Sequence, residues 1–253
     1  AGRVSILSND FPALQAMAAG AAECASATVA VSANQTTEHR DIQVAALTAN
    51  PAEYTSAIVA NSSIVPLMNE GLIRPLDDLI AQYAPDLPQL NRITIDGQVM
   101  AVAFMANAQH LFVRDDVLAQ IGASAPTSYE DVLDVLAKIR DAGMMAHPFA
   151  MNTAAGWNLG EEFVNMYMGF GGELFEAGSA APAINNATGL ATLEMLAALN
   201  EYANPDFLTF DSNATQALWE SGELAVAYMW GTRGGAVLDD ENSTPVVTGN
   251  TSL

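Results

Sequence analysis

The run RVSILSNDFPALQAMAAGAAECASATVAVSA, Arg3 to Ala33, changes periodicity twice. RVSILSN (3–9) alternates and is rich in β-branched residues, which predicts a strand. DFPALQAMAAGAAECA follows with helical composition, Asp10 at the N-cap position and Pro12 in the first turn. ATVAVSA (27–33) alternates again and predicts a second strand. A helix, TEHRDIQVAALTAN, comes next, with Ile42, Ala45, Ala46 and Ala49 on one face. YTSAIVAN (54–61) predicts a third strand, apolar enough to be buried on both faces. The order β-α-β-α-β argues for a mostly parallel sheet with helices on its faces.

The alternation continues beyond Asn61. SSIVPLMNEG predicts a short helix capped by Ser62 or Ser63 and stopped at Gly71, and IRPLDDLIAQYAPDL another. RITIDGQVMAVAF (92–104) reads as a hairpin turning at Asp96-Gly97. AQHLFVRDDVLAQIG passes from strand to helix. TSYEDVLDVLAKIRDAG is the best-marked helix, with Thr127 or Ser128 as N-cap, acids in its first turn, Lys138 and Arg140 in its last, and Gly143 as stop. HPFAMN (147–152) predicts a strand and NLGEEFVNMYMGFGG a helix. NATGLATLEMLAALNEYAN predicts a long helix with Leu190, Leu193, Leu196 and Ala197 on its apolar stripe. SNATQALWESGE and LAVAYMW predict a last helix and a last strand.

Composition excludes several partners. Among 253 residues, 8 Lys and Arg stand against 29 Asp and Glu, a formal charge of −21. A phosphate backbone or an anionic membrane surface would repel such a chain. The single cysteine, Cys24, forms no intrachain disulfide and is expected as a small buried hydrophobe. No apolar run approaches the length of a membrane span. Catalytic signatures are lacking too: there is no phosphate-binding glycine loop, nucleophile elbow or helical His pair. His39, His110 and His147 are scattered singly. Asp77-Asp78, Asp115-Asp116 and Asp239-Asp240 read as solvated or helix-terminal charge. The expectation is therefore no catalysis, no metal and no cofactor.

Polar residues do gather where apolar strands stop. Ser8, Asn9 and Asp10 end the first strand, and Asn61 and Ser62 the third. Asn107 and Gln109 follow the hairpin. HPFAMN ends in Asn152, and Trp157 follows it. Trp230 and Arg233 close AVAYMWGTRGG (225–235). In open α/β sheets ligands bind at the carboxyl ends of strands. Amides donate and accept hydrogen bonds, and a Trp face covers the apolar face of a sugar ring. These eleven residues are the expected binding set for a polyhydroxylated or zwitterionic solute. Asn and Ser also favour turns and caps for local reasons, so recurrence, and no single position, supports that reading.

Four stretches, in order, resemble the extracellular solute-binding proteins of ABC importers, in particular the maltose-binding-like carbohydrate group. They are YTSAIVANSSIVPLMNEGLIRPLDDL, DGQVMAVAFMANAQHLFVRDDVLAQIG, APTSYEDVLDVLAKIRDAG and ALWESGELAVAYMWGTRGG. The resemblance implies a two-lobed, periplasmic-binding-protein-like (type II) α/β fold, with mixed, mostly parallel sheets flanked by helices. It implies a first lobe at 1–107, a second at 108–229, and a return crossover into the first lobe at 230–253. It further implies an exported, periplasmic or cell-surface monomer that closes by a hinge on a sugar, sugar alcohol or related solute and delivers it to the transmembrane subunits of an ABC permease. Carried over by position, the eleven residues named above would face that solute.

The sequence departs from the family pattern at Gly222-Glu223, where Gly-Lys is usual, and at His110–Val113, where a Tyr-Asn pair is usual. Family members usually continue a hundred residues or more past the return crossover, so the chain is expected to be a piece of a longer protein. Two alternatives stay open. Arg233 would suit an anionic or amino solute such as a sugar acid, phosphate ester or peptide. An α/β hydrolase could place its site at the same strand ends.

Overall fold

The computed structural model describes residues Gly2–Leu253, without the side chains of Asn61 and Ser62. The chain divides into two compact units, Ala1–Ala106 and Asn107–Leu253.

Unit 1 opens with β1 (Gly2–Ser8), α1 (Pro12–Ala22), β2 (Val29–Gln35), α2 (His39–Thr48) and β3 (Ser56–Ala57). The strands form a parallel sheet in the order β2-β1-β3, with Leu7 opposite both Asn34 and Ala57. The order follows from the sequence: each helix returns the chain so that the next strand runs parallel. Pro12 stands in the first turn of α1, where its missing N–H costs nothing. The N-cap, however, is Phe11; the Asp10 carboxylate instead accepts from Gln15 Nε2 at 2.8 Å. β3 is half-buried rather than buried on both faces, because it stands at the edge of the sheet and pairs only with β1. α2 buries His39, Gln43 and Ala46, whereas Ala45 is exposed and Ala49 lies past the helix end. Gln43 sets that rotation by donating to Ser63 O at 3.3 Å. Burial, with Arg40 adding to it, lowers the pKa of His39. Cys24 is exposed beyond the end of α1, since that helix buries only Leu14.

The rest of unit 1 comprises α3 (Asn61–Asn69), α4 (Asp77–Tyr83), β4 (Arg92–Ile95) and β5 (Gln98–Val102). Ser63 Oγ accepts the Ala60 N–H at the start of α3, at 2.9 Å, and Gly71 follows its end with φ 63°. β4 and β5 pair antiparallel about Asp96 and Gly97, at φ 50° and 79°, the left-handed pair a tight hairpin turn requires.

Unit 2 contains β6 (Gln109–Arg114), α5 (Asp115–Gln120), α6 (Tyr129–Asp141), β7 (Phe149–Ala150), α7 (Trp157–Gly169), α8 (Ala187–Asn200), α9 (Ser212–Ser221), β8 (Val226–Trp230), α10 (Gly234–Val237), α11 (Pro245–Thr248) and β9 (Thr251–Ser252). Its sheet runs β7-β8-β6-β9, with β7 parallel to β8 and the other pairs antiparallel. The core packs Val132, Leu136 and Ile139 of α6 and Leu196 and Leu199 of α8 against Phe149, Ala225 and Val226. Ser128 Oγ accepts the Asp131 N–H and Asp131 in turn accepts from Thr127, so α6 is capped as its sequence predicts. In α8 the buried stripe is Thr192, Leu196 and Leu199, while Leu190 and Leu193 are 59% and 56% exposed. Gly189 fixes this phase: a Cβ there would lie 2.0 Å from Ile184 O, so the helix approaches the preceding loop on that side.

Residues 230–253 belong to unit 2. β9 pairs with β6, and Val237 and Val247 share a buried cluster with Phe112, Trp219 and Met229. Trp219 meets Phe112 edge-on at 5.9 Å and donates to Thr251 Oγ1 at 3.1 Å. Arg114, buried beside this closure, holds Asp116 by two 2.8 Å bonds that keep the Asp116 carboxyl below its ordinary pKa.

Candidate functional site

The register of unit 2 brings three chain segments to one end of its sheet. Trp230, the last residue of β8, lies opposite Gln109, the first of β6. β7 runs parallel to β8, so its carboxyl end, continuing to Asn152, lies on the same side. The polar stops at 109, 152 and 230 thus converge because one strand enters where two others leave.

Glu162 ties two of them together. Its Oε1 accepts from Gln109 Nε2 at 2.8 Å, from the Asn152 N–H at 3.0 Å and from Asn152 Nδ2 at 2.7 Å. Gln109 Oε1 accepts in turn from Asn165 Nδ2 at 2.5 Å. Asn152 is 1% exposed and Glu162 2%. Burial pushes the Glu162 carboxyl up to about 7, against the three N–H donors, which favour its charged form. Tyr129 and Tyr228 are raised as well, each by burial first; the nearby Glu162 charge adds to Tyr129, and Tyr129 and then Glu162 add to Tyr228.

Trp157 begins α7 and stacks on Trp230, with ring centroids 5.6 Å apart and planes inclined at 20°. Asn152 Oδ1, Trp230 Nε1 and Thr232 Oγ1 are buried without a hydrogen-bond partner. Asn107 Oδ1 accepts the Thr232 N–H at 3.2 Å and so holds the turn after β8. Gly231 lets that turn pass over His110, because a Cβ would meet the imidazole at 2.9 Å.

Arg233 follows the same strand end. It is 6% exposed, and its Nη1 donates to Asn213 Oδ1 and Gln216 Oε1 of α9, both at 2.8 Å. Burial lowers its pKa, and the carboxylates Asp211 and Glu220 oppose that. The guanidinium therefore ties the turn after β8 to α9.

Of the eleven residues expected from the sequence, six lie in unit 2. Gln109, Asn152, Trp157 and Trp230 form one cluster; Asn107 braces its edge and Arg233 its base. The other five lie in unit 1. Ser8, Asn9 and Asp10 follow β1, where Ser8 Oγ donates to Asn9 O and Asn9 Oδ1 accepts the Asp10 N–H, the local pairing such residues favour at turns. Asn61 and Ser62 are at the start of α3, and their side chains lie outside the described residues.

Glu162, Asn213 and Gln216 were not singled out from the sequence. For Glu162 a signal existed: it falls in phase with Met166 and Phe170 on the buried stripe of α7, an acid where an apolar residue belongs. Among the described residues no group of three or more His, Cys, Asp or Glu is placed to hold a metal ion, and no helix is long and apolar enough to cross a membrane.

A two-unit α/β fold carries, in its second unit, an amide-and-tryptophan cluster at the strand ends. The chain belongs to the bacterial extracellular solute-binding protein family, which matches residues 9–252. It is similar in fold to three solved structures. One is maltose-bound MalE3 of T. maritima, at 18% identity and TM-score 0.87, covering 100% of this chain and 66% of that one. Another is the ABC transporter solute-binding protein of Agrobacterium radiobacter K84 in complex with ribitol, at 17% identity and TM-score 0.86, covering 99% and 65%. The third is its counterpart from Agrobacterium vitis S4 with bound D-mannitol, at 17% and TM-score 0.81, covering 100% and 63%. The chain thus spans about two thirds of the length of these structures. No curated protein matches the sequence.

Proposed function

We propose that the protein is the solute-binding component of an ABC import system, taking a sugar, sugar alcohol or related polyhydroxylated solute. In this reading it works as a monomer in the periplasm or at the cell surface. Closure of two lobes captures the solute for delivery to the transmembrane subunits of a permease. Closure follows from differential binding: the solute favours whichever conformation contacts it most.

One observation carries the proposal. Asn152 Oδ1 and Trp230 Nε1 are buried polar atoms without partners, an acceptor and a donor beside a tryptophan pair. Leaving such an atom unpaired costs about 1–3 kcal/mol, and a hydroxylated ligand would remove that cost. The Trp faces suit the C–H face of a ring or an extended polyol. An anionic solute is less well served, because Arg233 already donates to Asn213 and Gln216.

Thermal-shift and calorimetric titration with ribitol, D-mannitol, maltose, sugar acids and amino acids test the proposal. A polyol or neutral sugar should raise the melting temperature; at a hundredfold excess over Kd the expected stabilisation is about 2.7 kcal/mol. A response to amino acids or peptides alone would overturn the carbohydrate reading.

A further inference from the structure

Glu162 has no place among the residues expected to touch a solute, yet it is the acceptor on which Gln109 and Asn152 converge. An amide can present either its oxygen or its NH2 group to a neighbour. An ionised carboxylate accepts only. With the Glu162 Oε1 beside them, both amides must turn their NH2 groups inward. For Asn152 this leaves Oδ1 as the buried, unpaired atom on the side away from Glu162. For Gln109 it leaves Oε1 to be bonded by Asn165 Nδ2. The carboxylate thereby decides which face of each amide is on offer.

We infer that Glu162 is a positioning residue of this site: it sets the amides of Asn152 and Gln109 so that Asn152 presents a hydrogen-bond acceptor, selecting solutes that donate a hydroxyl there. The inference rests on the solute-binding reading above. It carries a pH dependence. A protonated Glu162 is a weaker acceptor than the carboxylate, which loosens its hold on the amides, and its pKa of about 7 puts that change near neutrality. The charged and titratable groups facing it are Glu161 on its own helix, which raises that pKa, Tyr129 of α6 and Tyr228 of β8. Both tyrosines are shifted upward and stay neutral through this range, so Glu162 is the group among them that changes charge near pH 7.

The experiment has an arm without solute and an arm with it. Side-chain amide NMR signals of Asn152 and Gln109, followed from pH 5 to 9 in the full chain without solute, should titrate together in the wild type and stay fixed in Glu162→Gln. Amide signals that do not move in the wild type, or that move equally in the variant, overturn the inference. Ribitol and D-mannitol then supply the binding arm. Affinity should rise about tenfold from pH 5.5 to 8.5 in the wild type, the worth of one correctly set hydrogen bond, and be flat in Glu162→Gln at the low-pH value. Equal affinity of the two proteins at every pH overturns the positioning role in binding. Titrating amides with no response to any polyol or sugar sink the solute reading, while the action of Glu162 on the two amides stands.

Discussion

Trp230 and Glu162 act at the scale of single residues. Trp230 supplies both a stacking face and a buried indole N–H without a partner. Trp230→Ala should weaken binding of any confirmed polyol about tenfold or more by calorimetry, since a ring contact of this kind is worth about 0.5–1.5 kcal/mol beyond area burial and the hydrogen bond is lost with it. Glu162 links folding to pH. Its carboxyl titrates at about 7 in the folded chain against an ordinary 4.5, so the folded state keeps a proton that the unfolded state has lost. The stabilisation from that proton is full below about pH 4.5, is lost as pH rises to about 7, and changes no further above it. Thermal melts should accordingly show Glu162→Gln gaining on the wild type across that interval and holding a constant lead beyond it.

Among the elements, α8 shows how a helix takes its rotation from something other than its most apolar face. Its leucines at 190 and 193 are exposed, and Gly189 sits against the carbonyl of Ile184. A methyl group there meets backbone, which cannot swing away as a side chain can. Gly189→Ala should destabilise the fold by about 1–3 kcal/mol, read from the denaturant midpoint, even though alanine is the better helix former. The apolar count in this segment predicts a helix correctly and its buried face incorrectly, because many rotations would bury leucine equally well. α6 is the opposite case. Its stripe of Val132, Val135, Leu136 and Ile139 is unambiguous, and the buried residues are those four.

On the scale of the whole molecule, stability is distributed unevenly between the units. Unit 2 is built on β6 and β8, with Phe112, Val226 and Ala227 fully buried and helices packed against them. In unit 1 the sheet buries a smaller cluster around Leu7, Ala46 and Tyr54, and α1 contributes Leu14 alone. Amide hydrogen exchange should therefore be slowest in β6 and β8 and faster by orders of magnitude in β1 and β2, because opening free energy follows buried apolar contact. Equal protection in the two sheets would contradict this account.

The sequence by itself determined the elements as far as β8, the parallel β1–β3 sheet, the Asp96-Gly97 hairpin, the caps of α6 and the family. All of these rest on local periodicity, turn chemistry or ordered motifs, which neighbouring residues encode. It also marked the strand ends as the place where polar residues gather. Tertiary structure alone decided what those residues do. Ser8 and Asn9 make hydrogen bonds within their own turn, Arg233 donates to α9, and residues 230–253 belong to unit 2. Glu162, on which the two amides converge, was legible only as an acid on the buried stripe of its helix. Its partners lie 10 and 53 residues away, and a hydrogen bond between such distant positions leaves no pattern in a single sequence. Packing selects among side-chain directions that local rules leave equivalent, and the chemistry of this site depends on those directions.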